Sequence, residues 1–129
     1  MVVLRACLIV TLWMALMTSA VSAGGQPKRK NSPWLRMTAT AYCLRGTTDA
    51  GTRVKPGTVA ADPRVIPLGS TIHVRGMKGV RNGRYTVLDT GRGIKRREID
   101  VFLPSCAAAR RFGRQVVQVQ VLTRAAARP

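Results

Sequence analysis

From residue 37 onward, apolar and polar positions alternate in short runs separated by Gly and Pro. Met37-Thr38-Ala39-Thr40-Ala41-Tyr42 changes character with period two, which marks a strand rather than a helix. Leu44 to Gly57 reads as loop. Thr58 to Ala61 is a short strand stopped by Asp62-Pro63, because a residue before proline is pushed into extended or turn geometry. Ile66-Pro67-Leu68-Gly69 turns the chain. Ser70 to Arg75 puts Ile72 and Val74 on one face, and a loop through Gly76, Gly79 and Asn82-Gly83 returns to a strand at Arg84 to Leu88, which together predict a hairpin. Asp89-Thr90-Gly91-Arg92-Gly93 is a glycine-rich turn. In Glu98 to Phe102, Ile99 and Val101 share one face while Glu98 and Asp100 share the other.

Helical character is confined to one place. Ser105 is placed as an N-cap, Cys106 to Phe112 is rich in Ala and Arg, and Gly113 can close the segment. Gln115 to Leu122 then returns to period two, with Val117, Val119 and Val121 on one side. There is no internal repeat. Six short strands, one short helix and many turns argue for a closed β-barrel, all-β in class, which also removes exposed sheet edges; a sandwich fits the pattern too.

The first 23 residues follow a different pattern. One early charge, Arg5, precedes an apolar run from Leu8 to Met17 and small residues ending Val21-Ser22-Ala23, as in a cleaved secretory signal peptide. The run is shorter than the roughly 20 residues of a membrane span. Cys7 lies too early to be a lipid-bearing cysteine at the cleavage site. Residues 24–36, with Lys28-Arg29-Lys30 and two prolines, read as a flexible basic leader, residues 37–123 as the domain and residues 124–129 as a basic tail. A secreted or periplasmic location follows from the signal.

The whole chain carries a net charge of +17. So basic a chain suits polyanionic surroundings such as anionic wall polymers, a membrane surface or nucleic acid, and equally suits plain solubility. Nucleic acid is not expected as the partner: export argues against it, and aromatic side chains for base stacking are few. Removing Cys7 with the signal leaves Cys43 and Cys106, an even count in an exported chain, so a disulfide is expected, with two buried or reduced thiols as the alternative. Such a bond closes a loop of about 60 residues and contributes roughly 4 kcal/mol by the chain-entropy model. The single histidine, His73, sits in a strand-like run and suits packing or solvent better than a Cys–His pair. No metal-ligand spacing and no phosphate loop are visible, so no metal or cofactor is expected.

With only five acids in the chain, the position of each is informative. Asp62 ends one strand, Asp89 ends another, and Asp100 lies inside a third among apolar neighbours. A carboxylate against apolar walls has its ionised form disfavoured, which lets it donate a proton near neutral pH, and Asp100 fits that role best. Each also has a structural explanation as a turn cap or an arginine partner. Asp49 in its polar loop and Glu98 beside Arg96 and Arg97 are expected to serve local charge pairing.

At these residues the chain resembles the 3D domain family, named for three aspartates, and the related membrane-bound lytic transglycosylase A. The motifs are Thr38-Ala39-Thr40-Ala41-Tyr42-Cys43, Val59 to Ser70 with Ala61-Asp62-Pro63 at its centre, Asp89-Thr90-Gly91, Ile94-Lys95, Ile99-Asp100-Val101-Phe102 and Phe112-Gly113. The resemblance implies a six-stranded double-psi β-barrel with Asp62, Asp89 and Asp100 in one groove. Asp100 takes the position of the catalytic acid, Asp89 joins it in the catalytic set, and Asp62, Thr90, Gly91 and Thr40 are expected to hold substrate. One departure stands out: Arg96 follows Lys95 where glycine is usual, and Arg92 intrudes between Gly91 and Gly93. If that turn needs a positive φ, arginine fits poorly.

The implied reaction is a lytic transglycosylase cut of peptidoglycan glycan strands between N-acetylmuramic acid and N-acetylglucosamine. Asp100 protonates the leaving oxygen and, as carboxylate, takes the proton of the C6 hydroxyl, giving the 1,6-anhydro product. Hydrolysis needs a second carboxylate, roughly 5 Å or 6.5 to 9.5 Å away, a role open to Asp89. A non-catalytic wall-binding module of the same barrel type is the rival from another class.

Overall fold

Alternating Met, Ala, Val and Ile side chains close the chain into a barrel. The computed structural model describes residues 32–126. The strands are β1 (Leu35–Tyr42), β2 (Thr58–Ala61), β3 (Thr71–Arg75), β4 (Gly83–Asp89), β5 (Glu98–Phe102) and β6 (Gln115–Thr123), with a helix α1 (Cys106–Phe112) between the last two. Around the barrel they run β1-β5-β2-β4-β3-β6 and back to β1. Two pairs, β1–β5 and β2–β4, are parallel, and the other four are antiparallel. This closed, mixed, six-stranded barrel is the double-psi arrangement expected, and closure excludes the sandwich.

The period-two faces point where the sequence puts them. Met37 and Ala39 of β1, Ile72 and Val74 of β3, Val87 of β4, Ile99 and Val101 of β5 and Val117 and Val119 of β6 are all buried. Truncating one of the large members to alanine costs about 2–5 kcal/mol. β2 is buried along its whole length, because β5 and β4 flank it on both sides. The hairpin is present as β3–β4. Ser105 caps α1, its hydroxyl accepting from the Ala108 N–H at 3.2 Å, and Gly113 ends the helix.

The start of β1 differs from expectation. β1 starts at Leu35, two residues early, because Leu35 pairs with Val119 and Arg36 with Gln118 on β6. The end of the segment read as flexible leader therefore belongs to the barrel. Gln120 donates to the Ser32 carbonyl at 2.8 Å, and Trp34 lies under the Arg75 guanidinium, 3.8 Å from its ring centroid, with His73 edge-on. His73 thus ends in packing. The proposed signal peptide, the rest of the leader and the last residues of the tail lie outside the described residues.

Cys43 and Cys106 form a disulfide that joins the end of β1 to the start of α1.

Candidate active site

Strand order, rather than nearness in sequence, assembles the site. β5 lies between β1 and β2, so Asp100 is in register with Thr40 on one side and Ala60 on the other. β2 in turn lies beside β4, where Ala60 is level with Asp89 after a register shift. Thr40, Asp100, Ala60 and Asp89 therefore form one row across four strands. Since Ile99 and Val101 face the core, Asp100 must face away from it.

The row opens into a cleft of about 260 Å³ whose lining includes Tyr42, Leu44, Asp89, Thr90, Gly91 and Asp100. Asp100 is half-buried, and Thr40 Oγ1 donates to its Oδ1 at 2.9 Å. Burial pushes the Asp100 carboxyl above the ordinary range; the Thr40 bond opposes this, and the negative charges of Glu98 and Asp89 add to it. The group is thus biased towards holding its proton. Tyr42, two residues after Thr40 and hence on the same face of β1, was not singled out by the sequence reading. Burial, then the charges of Asp89 and Asp100, push its hydroxyl up to about 12, so it stays neutral and able to donate. Period two along β1 is the signal that points to it.

At the end of β4, Asp89 Oδ1 accepts from the N–H of Thr90 at 3.0 Å and from the N–H of Asp49 at 3.2 Å. Asp49 answers with its own carboxylate, which accepts from the N–H of Thr90 at 3.1 Å and from the Thr90 hydroxyl. Local charge pairing was expected of Asp49. The structure gives it hydrogen bonds to the end of β4 instead, made to residues about 40 positions away, which spacing alone cannot reveal. Glu98 does pair with a cation, though with Arg114 at 2.8 Å rather than with the adjacent arginines.

Asp62 occupies a different environment. It is buried, and its oxygens accept from the Arg64 N–H at 3.0 Å, from Arg64 Nε at 3.0 Å and Nη2 at 2.7 Å, and from the Arg96 N–H at 2.8 Å. These donors, the Arg64 side chain foremost, hold the carboxyl far below the usual range. Asp62 lines a second cleft of about 510 Å³ with Asp49, Arg64, Arg92 and Lys95. Thr90 and Gly91 line both clefts. The three aspartates thus lie along two adjoining clefts, and only Asp89 and Asp100 share one. A larger cavity of about 600 Å³, lined by Val80, Tyr85, Phe102 and Leu103 among others, holds no carboxylate.

The turn before β5 explains the departure at Arg96. Arg96 has φ of 57°, the left-handed region that favours glycine, and among the described residues no other non-glycine has a positive φ. Asp62 bonds to that same residue's N–H, so the carboxylate secures the strained backbone. Arg92 has no such φ. Gly91 is required for another reason, since a Cβ there would overlap the Ile94 side chain.

Comparisons with known proteins agree with this geometry. The 3D domain model matches residues 57–123. The cell wall-binding protein YocH of Bacillus subtilis (strain 168) is 40% identical over 97 residues, covering 68% of this chain and 32% of that protein. The putative cell wall shaping protein YabE of the same organism is 38% identical over 89 residues, covering 66% of this chain and 21% of its own. This chain therefore spans a third or less of these relatives. Among solved structures, E. coli MltA with bound chitohexaose has a TM-score of 0.53 at 18% identity, covering 64% of this chain and 29% of that one. Streptomyces papain inhibitor has a TM-score of 0.52 at 20% identity, covering 71% and 96%. At such identities the structural likeness concerns the fold alone. With its family model spanning more than half the sequence and its barrel seating the motif aspartates, the chain belongs to the 3D domain family.

Proposed function

We propose that the protein is an exported peptidoglycan lytic transglycosylase with Asp100 as its single acid and base. The observation that carries this is a half-buried carboxyl, biased towards its protonated form, on the floor of a cleft with Asp89 in the same row. A neutral acid can protonate the glycosidic oxygen, and the carboxylate left behind can take the proton of the muramoyl C6 hydroxyl, so no second carboxylate is required. Asp89 and Thr90 shape the cleft, and Thr40 holds Asp100. The named relatives and the MltA complex support a glycan of the cell wall as ligand. Asp62 supports the site from the adjoining cleft, by holding the turn that leads into β5. The basic surface suits anionic wall polymers or a membrane surface. In this reading residues 1–23 direct export to the periplasm or the exterior.

A second reading is favoured by a specific observation. Two relatives that share 40% and 38% identity with the chain are named for binding and shaping of the wall. A barrel that grips glycan without cutting it uses the same cleft. Digestion of purified peptidoglycan followed by mass measurement separates the readings. Anhydro-muropeptides from the wild type, absent with Asp100→Asn, support the lytic enzyme; products heavier by one water indicate a hydrolase. Intact wall that nonetheless retains the protein supports the binding module.

A further inference from the structure

One wall of the acid cleft comes from no strand. Leu44, Arg45, Gly46, Thr47, Thr48 and Val54, all between β1 and β2, supply it. The base of this loop is tied by the Cys43–Cys106 disulfide. Internally it folds on itself: Thr47 bridges to Arg53, the Thr48 N–H donates to the Thr52 carbonyl at 2.8 Å, and the Val54 N–H donates to the Gly46 carbonyl at 3.0 Å. None of these bonds fixes the loop's tip to the barrel. Two adjacent residues do. The Ala50 N–H donates to the Leu88 carbonyl at 3.0 Å, and Asp49 exchanges bonds in both directions with Asp89 and Thr90. Thr90 lines both clefts and Asp49 the second, so the Asp49–Thr90 bridge lies where the two adjoin.

From this bridge we infer that Asp49 is a positioning residue: its carboxylate clasps the loop to the end of β4, which sets the width of the acid cleft and the direction of Asp89. It touches no reacting atom. A hydroxyl and an N–H on a single residue meet one carboxylate, an arrangement that alanine cannot reproduce and asparagine can in part, since its amide keeps one acceptor oxygen. The bonds from Thr90 also hold the Asp49 carboxyl below its ordinary range, as bonds made to an ionised form do. The consequence for glycan fit rests on the function proposed above, whereas the clasp is a property of the free protein.

Backbone hydrogen exchange in the full chain tests the clasp, and affinity for soluble glycan strands tests its consequence. In Asp49→Ala the amides of Ala50 and Thr90 should exchange about tenfold faster, while those of the β1–β6 pairing keep their rates. Asp49→Asn should stay within about threefold of the wild type. Glycan affinity should fall about fivefold in the alanine variant and recover in the asparagine variant. Unchanged exchange at Ala50 and Thr90 in Asp49→Ala overturns the inference, and so does equal acceleration in both variants. Should Asp49→Ala unfold globally, Thr90→Val reads the same bridge from its other end, and an unaltered Ala50 amide there overturns it. A wild type that binds and cuts no glycan defeats the proposed function, while the exchange rates still decide the clasp.

Discussion

Asp62 is almost wholly buried, with 3% of its surface exposed, yet its carboxyl lies far below the usual range; Asp100 is only half-buried and is pushed above it. Desolvation raises both values, but at Asp62 it ranks behind the bonds from Arg64 and Arg96, while at Asp100 it is the leading cause. The donors around each group decide the outcome. Asp62 accepts from two backbone N–H groups and a guanidinium, whereas Asp100 accepts from the Thr40 hydroxyl and has the negative charges of Glu98 and Asp89 nearby. In one motif aspartate the ionised form is favoured and holds a turn; in the other it is disfavoured beside a cleft.

The strongest way to break this comparison is Asp100→Asn. The amide keeps an acceptor for Thr40 and leaves the barrel intact, yet it cannot transfer a proton. Release of anhydro-muropeptides should fall by about 10²- to 10⁴-fold, read by mass spectrometry of digested wall, with melting unchanged at acid pH. Activity of the wild type should also decline as pH rises through the raised Asp100 value. A variant that still cuts at the wild-type rate would assign the proton transfer elsewhere.

Asp62 should respond in the opposite currency, in stability first. Asp62→Ala leaves the Arg64 and Arg96 N–H groups without their acceptor and should lower the melting temperature by several degrees. The pH dependence carries opposite signs at the two sites. Because the folded state lowers the Asp62 value, its contribution is complete above the ordinary carboxylate range and fades as pH falls below it. Because the folded state raises the Asp100 value, its contribution is complete below that range and fades as pH rises through the elevated one. Above the ordinary carboxylate range Asp62→Ala should therefore fall below the wild type in thermal melts, whereas Asp100→Asn, always neutral, should match the wild type at acid pH and gain on it as pH rises through the elevated Asp100 value. Parallel curves would remove the contrast.

Arg96→Gly gives a smaller effect. Arginine at φ of 57° carries left-handed strain of about 1 kcal/mol, and glycine relieves it while gaining freedom in the unfolded chain. A net stabilisation of less than about 0.6 kcal/mol, seen by denaturant titration, is expected once that freedom is set against the strain. Loss of stability would mean that the arginine side chain contributes more than its backbone strains.

The barrel was legible because period two in β3, β5 and β6 forces Ile72, Val74, Ile99, Val101, Val117 and Val119 inward, and closure follows from giving every such face a partner. The position of Asp100 opposite Ile99 and Val101 was legible for the same reason. The row Thr40–Asp100–Ala60–Asp89 was not, since β1–β5 and β2–β4 are parallel pairs joined by long connections, and residue spacing does not encode their register. Nor was the assignment of Asp49 to Thr90, or of Glu98 to Arg114, because loop and surface partners depend on where the chain returns. The sequence set Asp100 apart from Asp62 as the acid, but the donors from Arg64 and Arg96 around Asp62, which fix its opposite shift, were not legible from spacing.

Thr40 offers the finest adjustment. Its hydroxyl bonds to Asp100 and favours the ionised form, partly opposing the burial that favours the neutral one. In Thr40→Val the methyl groups keep the packing of β1 while the donor is lost, so the Asp100 value should rise further and the declining limb of the activity profile should move to higher pH. Thr40→Ser keeps the donor and should leave the limb in place. The effect on the rate at low pH should be small, because the acid is already protonated there and the Thr40 bond acts on its ionised form. If the limb stays fixed in Thr40→Val while Asp100→Asn is inactive, the pH profile belongs to another group, and the raised carboxyl at position 100 is not what limits cleavage.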